Sequence, residues 1–244
     1  MNYVKPPILE AVYQITFQDL IEEKSVSKIS EKLGTKFETR KARNEIEVII
    51  DSQTSETTTN VQAAGVEFRD ESGTKIVVLT TKNFLYGELA PYSGWDVFES
   101  QIIECTSVVR NSARSSRICR IGVRFINRID VPFDDSGLAH TEAYVRVEPS
   151  RFEFGPNTYN RFLVQFARDL PTAGMAFNLS CASVESPVPG YSGLLLDIDA
   201  YWIGSVAFRL DEIVSKLRLL RKYKNEVFEA AITDDARQVF EVVQ

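Results

Sequence analysis

Apolar and polar residues alternate from Ile8 to Phe17, with Leu9, Ala11, Tyr13, Ile15 and Phe17 on one side and Glu10, Gln14 and Thr16 on the other. A period of two is that of a half-buried strand, here launched by Pro6 and Pro7. From Ser25 to Leu33 the period lengthens: Val26, Ile29 and Leu33 fall at helical spacing, and the run stops at Gly34, a glycine C-terminal signal. Strand-like runs follow at Glu45 to Ile50, Gly65 to Arg69, Lys75 to Thr80 and Phe84 to Leu89, with a hairpin turn over Asp70 to Gly73. Between the first two of these, the tract DSQTSETTTN (51–60) has no apolar period and reads as an exposed loop.

After the break PYSG (91–94) the period is helical again, with Trp95, Phe98, Ile102, Cys105 and Val109 on one stripe. A strong strand runs from Ile118 to Val131, and further strands are expected at Ala143 to Phe154, Tyr159 to Ala167, Met175 to Val184 and Leu194 to Trp202. A long helix begins near Leu210, its apolar face formed by Leu210, Ile213, Val214, Leu217, Leu220, Val227, Phe228 and Ala231. A short helix opens at Thr233, whose hydroxyl can cap it, with Asp234 and Asp235 near the positive end of its dipole.

Runs of strands closed by one amphipathic helix predict an α+β fold: a mainly antiparallel sheet with the long helices on one face, because parallel crossovers would need a helix between successive strands. The chain divides near Ser115 into two α+β halves, 1–114 and 115–244, within one compact unit. Each half reads approximately as β-α-β-β-β-α, the plan duplicated in TATA-binding-like saddles. That comparison concerns architecture and carries no function.

Composition narrows the classes. With 244 residues, 44% of them hydrophobic, the chain can bury a core without metal or disulfide staples. Its net charge of -6 disfavours nucleic acid or an anionic membrane as partner, since both demand concentrated Lys and Arg. Cys105, Cys119 and Cys181 are odd in number and widely spaced, which suits buried thiols better than disulfides or a CxxC site. MNYVKPPILE lacks the basic and apolar runs of a signal peptide, and no stretch has the apolar length of a membrane span, so a cytoplasmic location is expected.

The sole histidine, His140, lies in a polar loop-like segment without a second histidine, and reads as solvated rather than catalytic. GxSxG, HExxH, GxxxxGK[ST] and GxGxxG are all absent. In LLLDIDAYW, strand parity sets Asp197 and Asp199 together, opposite Leu196, Ile198 and Ala200. Two such carboxylates suit Mg²⁺ only with a third acidic ligand, and none is identifiable. In RIGVRFINRID the same parity puts Arg124 and Arg128 opposite Val123, Phe125 and Ile129. Glu10, Arg124, Arg128, Asp197 and Asp199 are therefore the candidate binding residues of an open sheet face, with cross-strand charge pairing as the structural alternative. The sequence points to no cofactor and no metal.

PPILEA (6–11), PYSGW (91–95), RIGVRFINRI (120–129), LLLDID (194–199) and VFEAAITDDARQVF (227–240) together resemble a sporadically distributed prokaryotic family of this length and uncharacterised activity. Sporadic distribution implies a mild lean toward toxin–antitoxin or defence modules. The expected function is that of a non-enzymatic interaction protein binding a partner protein, such as an antitoxin or a defence component. The alternative is a small-molecule or nucleotide-binding protein or enzyme using the Arg/Asp cluster. Nothing in the sequence fixes the oligomeric state.

Overall fold

The computed structural model describes residues 3–50, 57–147 and 161–241. In chain order the elements are β1 (Ile8–Phe17), α1 (Glu23–Gly34), β2 (Thr39–Ile50), β3 (Thr57–Arg69), β4 (Lys75–Leu79), β5 (Asn83–Leu89), α2 (Trp95–Ser112) and β6 (Arg117–Pro132). A 3₁₀ turn (Thr141–Ala143) then leads to β7 (Leu163–Asp169), β8 (Met175–Glu185), β9 (Tyr191–Ala207), α3 (Leu210–Ala231) and α4 (Asp234–Phe240). The strands form one nine-stranded sheet in the order β2-β3-β4-β5-β1-β6-β9-β8-β7, antiparallel at every step. The fold is α+β.

Strand order follows one plan in both halves. The first strand of each half pairs with its last, β1 with β5 and β6 with β9, and the two first strands pair with each other at the centre. Content differs: α1 follows β1, whereas only the 3₁₀ turn stands between β6 and β7 among the described residues.

Parity sorts the sheet into two faces. Ala11, Tyr13 and Ile15 of β1 lie opposite Phe125, Val123 and Ile121 of β6, and all six are buried. Beyond them, Ile198, Ala200 and Trp202 of β9 continue the same three rows. Helices α1, α2 and α3 cover this face in a single core, so the helices starting at Trp95 and Leu210 pack on the same side. Phe98 of α2 is its aromatic centre, with ring centroids 5.6 Å from Tyr86 and 6.0 Å from Phe125. Fully burying a side chain of this size contributes roughly 1.5–3 kcal/mol. A second cluster lies toward the chain ends, where Phe228, Ala236 and Phe240 cover Ile129, Leu179 and Leu196. There Val4 and Lys5 donate backbone hydrogen bonds to Glu241 and Phe240.

Four expectations need correction or narrowing. Thr57–Asn60 of the polar tract belongs to β3, because backbone pairing with β2 needs no apolar side chains; residues 51–56 lie outside the described residues. The strand expected from Ala143 is a 3₁₀ turn followed by a single bridge, Val145 to Ile232, and 148–154 of that span lies outside the described residues. A register shift between Ile8 and Glu10 breaks the alternation at Leu9, which is half-buried. On α3 the buried stripe is Ile213, Leu217, Leu220, Phe228 and Ala231, with Val214 at its half-buried margin.

Candidate functional site

Strands β1, β6 and β9 are neighbours, which brings the five sequence-derived residues onto the open face. Across it, Glu10 pairs with Ile126 and Ile126 with Asp197, while Val12 pairs with Arg124 and Arg124 with Asp199. The charges close on one another. Arg124 donates from Nε and Nη2 to the two oxygens of Asp197 at 2.8 and 2.5 Å. The hydrogen bonds that Asp197 accepts, with the charges of Asp199 and Glu10 behind them, hold the Arg124 guanidinium above its ordinary pKa despite partial burial. Asp199 is taken by Arg120, whose Nη2 reaches both carboxylate oxygens at 3.0 and 2.8 Å. The Arg120 guanidinium stacks 4.9 Å from the Tyr201 ring and passes over Gly122, where a Cβ would meet its Nη1 at 2.6 Å.

Arg128 stands apart, turned to Asp130 on its own strand at 3.1 Å, with Ser186 donating to the same carboxylate at 2.8 Å. Asp197 and Asp199 thus spend their oxygens on guanidinium groups. Among the described residues no group of three or more His, Cys, Asp or Glu is arranged to hold a metal ion. The face is a charge ladder, and beside Arg124 it carries a shallow depression of about 470 Å³ lined by Gln165, Asn178 and Ser180. His140 sits in an exposed loop between Asp134 and Glu142, which raise its pKa. Burial pushes the thiols of Cys105 and Cys181 up to about 12 and about 11, so both are protonated at neutral pH. No described helix is long and apolar enough to cross a membrane.

The helix-covered side holds a different kind of site, one that the sequence motifs did not identify as chemical. Residues 3–8, the turn before α2 and the C-terminal half of α3 enclose an open cavity of about 580 Å³. Its aromatic wall is Tyr92, Trp95, Phe125 and Phe228. Two cations enter it from α3. Arg221 lies with Cζ 4.7 Å from the Trp95 ring, and Lys224, three residues on and so on the same helix face, has Nζ 3.9 Å from the Phe125 ring. Neither has an acidic partner within ion-pair distance among the described residues. Burial, with the Arg221 charge beside it, lowers the Lys224 amine to about 7, and Glu229 pulls weakly the other way.

The opposite wall is held rigidly. Glu88, buried on the core side of β5, accepts hydrogen bonds from the Tyr86 hydroxyl at 2.7 Å and the Ser93 hydroxyl at 2.5 Å, which fixes the 91–94 turn. Gly94 then enters α2 at φ 93°, where other residues are strained, and supplies no side-chain cap. The first N–H groups of α2 therefore lack side-chain partners from the cap and carry the positive end of the helix dipole at the cavity rim, with the exposed Asp96 carboxylate beside them. The buried Tyr92 hydroxyl has no hydrogen-bond partner among the described residues. At the chain-end side, Glu229 accepts from Tyr3 at 2.8 Å and from Arg237 at 3.0 Å, and Arg237 also holds Asp234 at 2.6 Å. Arg237 thus ties Glu229 at the end of α3 to Asp234 at the start of α4.

No protein-family model matches the chain, and no curated protein matches it. Four of the five sequence motifs, PPILEA, PYSGW, RIGVRFINRI and VFEAAITDDARQVF, contribute residues to this cavity.

Proposed function

We propose that the protein binds a small organic anion in the cavity between α2 and α3. The observation that supports this is the pair of cations Arg221 and Lys224, each on an aromatic ring and without an acidic partner within ion-pair distance among the described residues, at a cavity rimmed by the first turn of α2, which has no side-chain cap. Holding charge away from water without a counter-charge is unfavourable, and a ligand carboxylate or phosphate supplies that counter-charge. The volume suits a ligand of metabolite size, and the four aromatic rings suit one with an apolar body. Thermal shift and calorimetry with a panel of aliphatic carboxylates, aromatic carboxylates and phosphate monoesters test it. Saturable stabilisation by one class, weakened about tenfold or more in Arg221→Gln, is expected; about tenfold corresponds to roughly 1.4 kcal/mol. A panel with no stabilising anion would end this reading.

A second reading belongs to the open sheet face, and the adjacency of β1, β6 and β9 favours it. On this reading the two halves act as a duplicated saddle whose face binds a partner protein, in the manner of an antitoxin or a defence component. Arg124, half-exposed at 50% of its side chain, is the charge best placed for steering. Reversing Arg124 and Arg128 to Glu should slow association with a co-purified partner, and the wild-type on-rate should fall as salt rises. Equal on-rates for wild type and the folded double variant would remove this face from consideration.

A further inference from the structure

We propose that Lys224 is the nucleophile of a reversible covalent site, its ε-amine adding to the carbonyl of a small 2-oxo acid whose carboxylate is held by Arg221. The inference rests on the cavity being a ligand site and names its ligand class. An amine that serves only as a surface charge stands in water or meets a carboxylate. Lys224 is half-buried in the cavity and has no carboxylate within ion-pair distance among the described residues. It interrupts the buried stripe between Leu220 and Phe228, and its nitrogen lies over the Phe125 ring inside the cavity. Arg221, the neighbour on the same helix face, offers the planar fork that matches a carboxylate. A 2-oxo acid carries a carbonyl and a carboxylate on one small molecule, the two groups that an amine and a guanidinium lining one cavity would take.

The titratable and charged groups around the amine are Arg221 and Glu229 on α3, Tyr92 and Asp96 across the cavity, and Tyr3 on the N-terminal segment. Burial and Arg221 outweigh Glu229, so the amine is about half neutral near pH 7, where an ordinary lysine is neutral in roughly one molecule in a thousand or fewer. The step balances without an oxidant or reductant. The nitrogen lone pair forms the C–N bond as the carbonyl π pair moves to oxygen, which takes a proton while the nitrogen gives one up. The carbinolamine then expels water to leave the imine, and hydrolysis reverses the sequence.

The test uses the full chain with pyruvate or glyoxylate as probe and sodium cyanoborohydride to fix any imine as a secondary amine, read by intact mass and peptide mapping. The expected result at pH 7 is a single reduced adduct on Lys224, formed at least about tenfold faster than on any other lysine. Lys224→Arg, which keeps the positive charge but not the nucleophilic amine, should lose the adduct. Wild-type protein with no adduct, or with adducts spread over other lysines and Lys224 unmodified, overturns the proposal. If anions still stabilise that protein, only the covalent step falls; if none does, the ligand site falls with it.

Discussion

Burial of its amine makes Lys224 a local weak point of the fold. Its amine is lowered from 10.5 to about 7 in the folded chain, so the unfolded chain binds its proton more tightly. The sign follows from linkage: above about 10.5 the lysine is neutral in both states and exacts no penalty. Between 10.5 and 7 the penalty grows as pH falls, and below about 7 it is present in full. Stability should therefore rise with pH from about 7 to 8.5, below the range where unfolded tyrosines ionise. Lys224→Met should flatten that rise and stabilise the protein at pH 7 by about 1–3 kcal/mol, the desolvation penalty less the share returned by the Phe125 ring face. Urea melts of both proteins at several pH values check it. A wild-type stability that falls over this range would contradict the assignment.

At the scale of elements, the start of α4 is set by Thr233. Thr233 accepts a hydrogen bond from the Ala236 N–H at 3.3 Å and donates its hydroxyl to the Ala143 carbonyl at 2.5 Å, tying the helix start to the 3₁₀ turn. Thr233→Ala should cost about 1–2 kcal/mol in chemical denaturation, whereas Asp234→Ala, which removes a carboxylate 84% exposed, should cost about 1 kcal/mol or less. This cap was legible in the sequence because its chemistry is local. So were the sheet faces, since strand parity within Arg120–Ile129 and Leu194–Asp199 needs no knowledge of neighbours. The adjacency of β1, β6 and β9 was not, because pairing joins residues far apart in the chain. The cavity escaped for a related reason. Its lysine shows in the sequence only as a gap in the apolar stripe between Leu220 and Phe228, and Glu88 only as an acid on the core side of a strand with Phe84 and Tyr86. Each is a polar residue on an apolar face, and its meaning depends on what the turn at 91–94 sets opposite.

For the whole molecule, the central pairing of β1 with β6 and the shared core under α2 and α3 predict that the chain unfolds as one cooperative unit. Each half carries one of the two tryptophans, Trp95 and Trp202, so Trp95→Phe and Trp202→Phe leave a single reporter in the opposite half. Their fluorescence unfolding curves should share one apparent m-value and move together when Phe98→Ala is added, a change expected to cost about 3–5 kcal/mol. Two separated transitions would mean independent halves. The cavity's walls come from the beginning, middle and far end of the described chain, from Tyr3 to Glu229. During translation the pocket is therefore absent while α3 is still within the ribosome, whatever structure the first half has reached. A small molecule recognised there could not template the folding of the segments that precede α3. Its contribution would begin once α3 is in place, by holding together two chain segments whose backbones already touch at Val4 and Glu241.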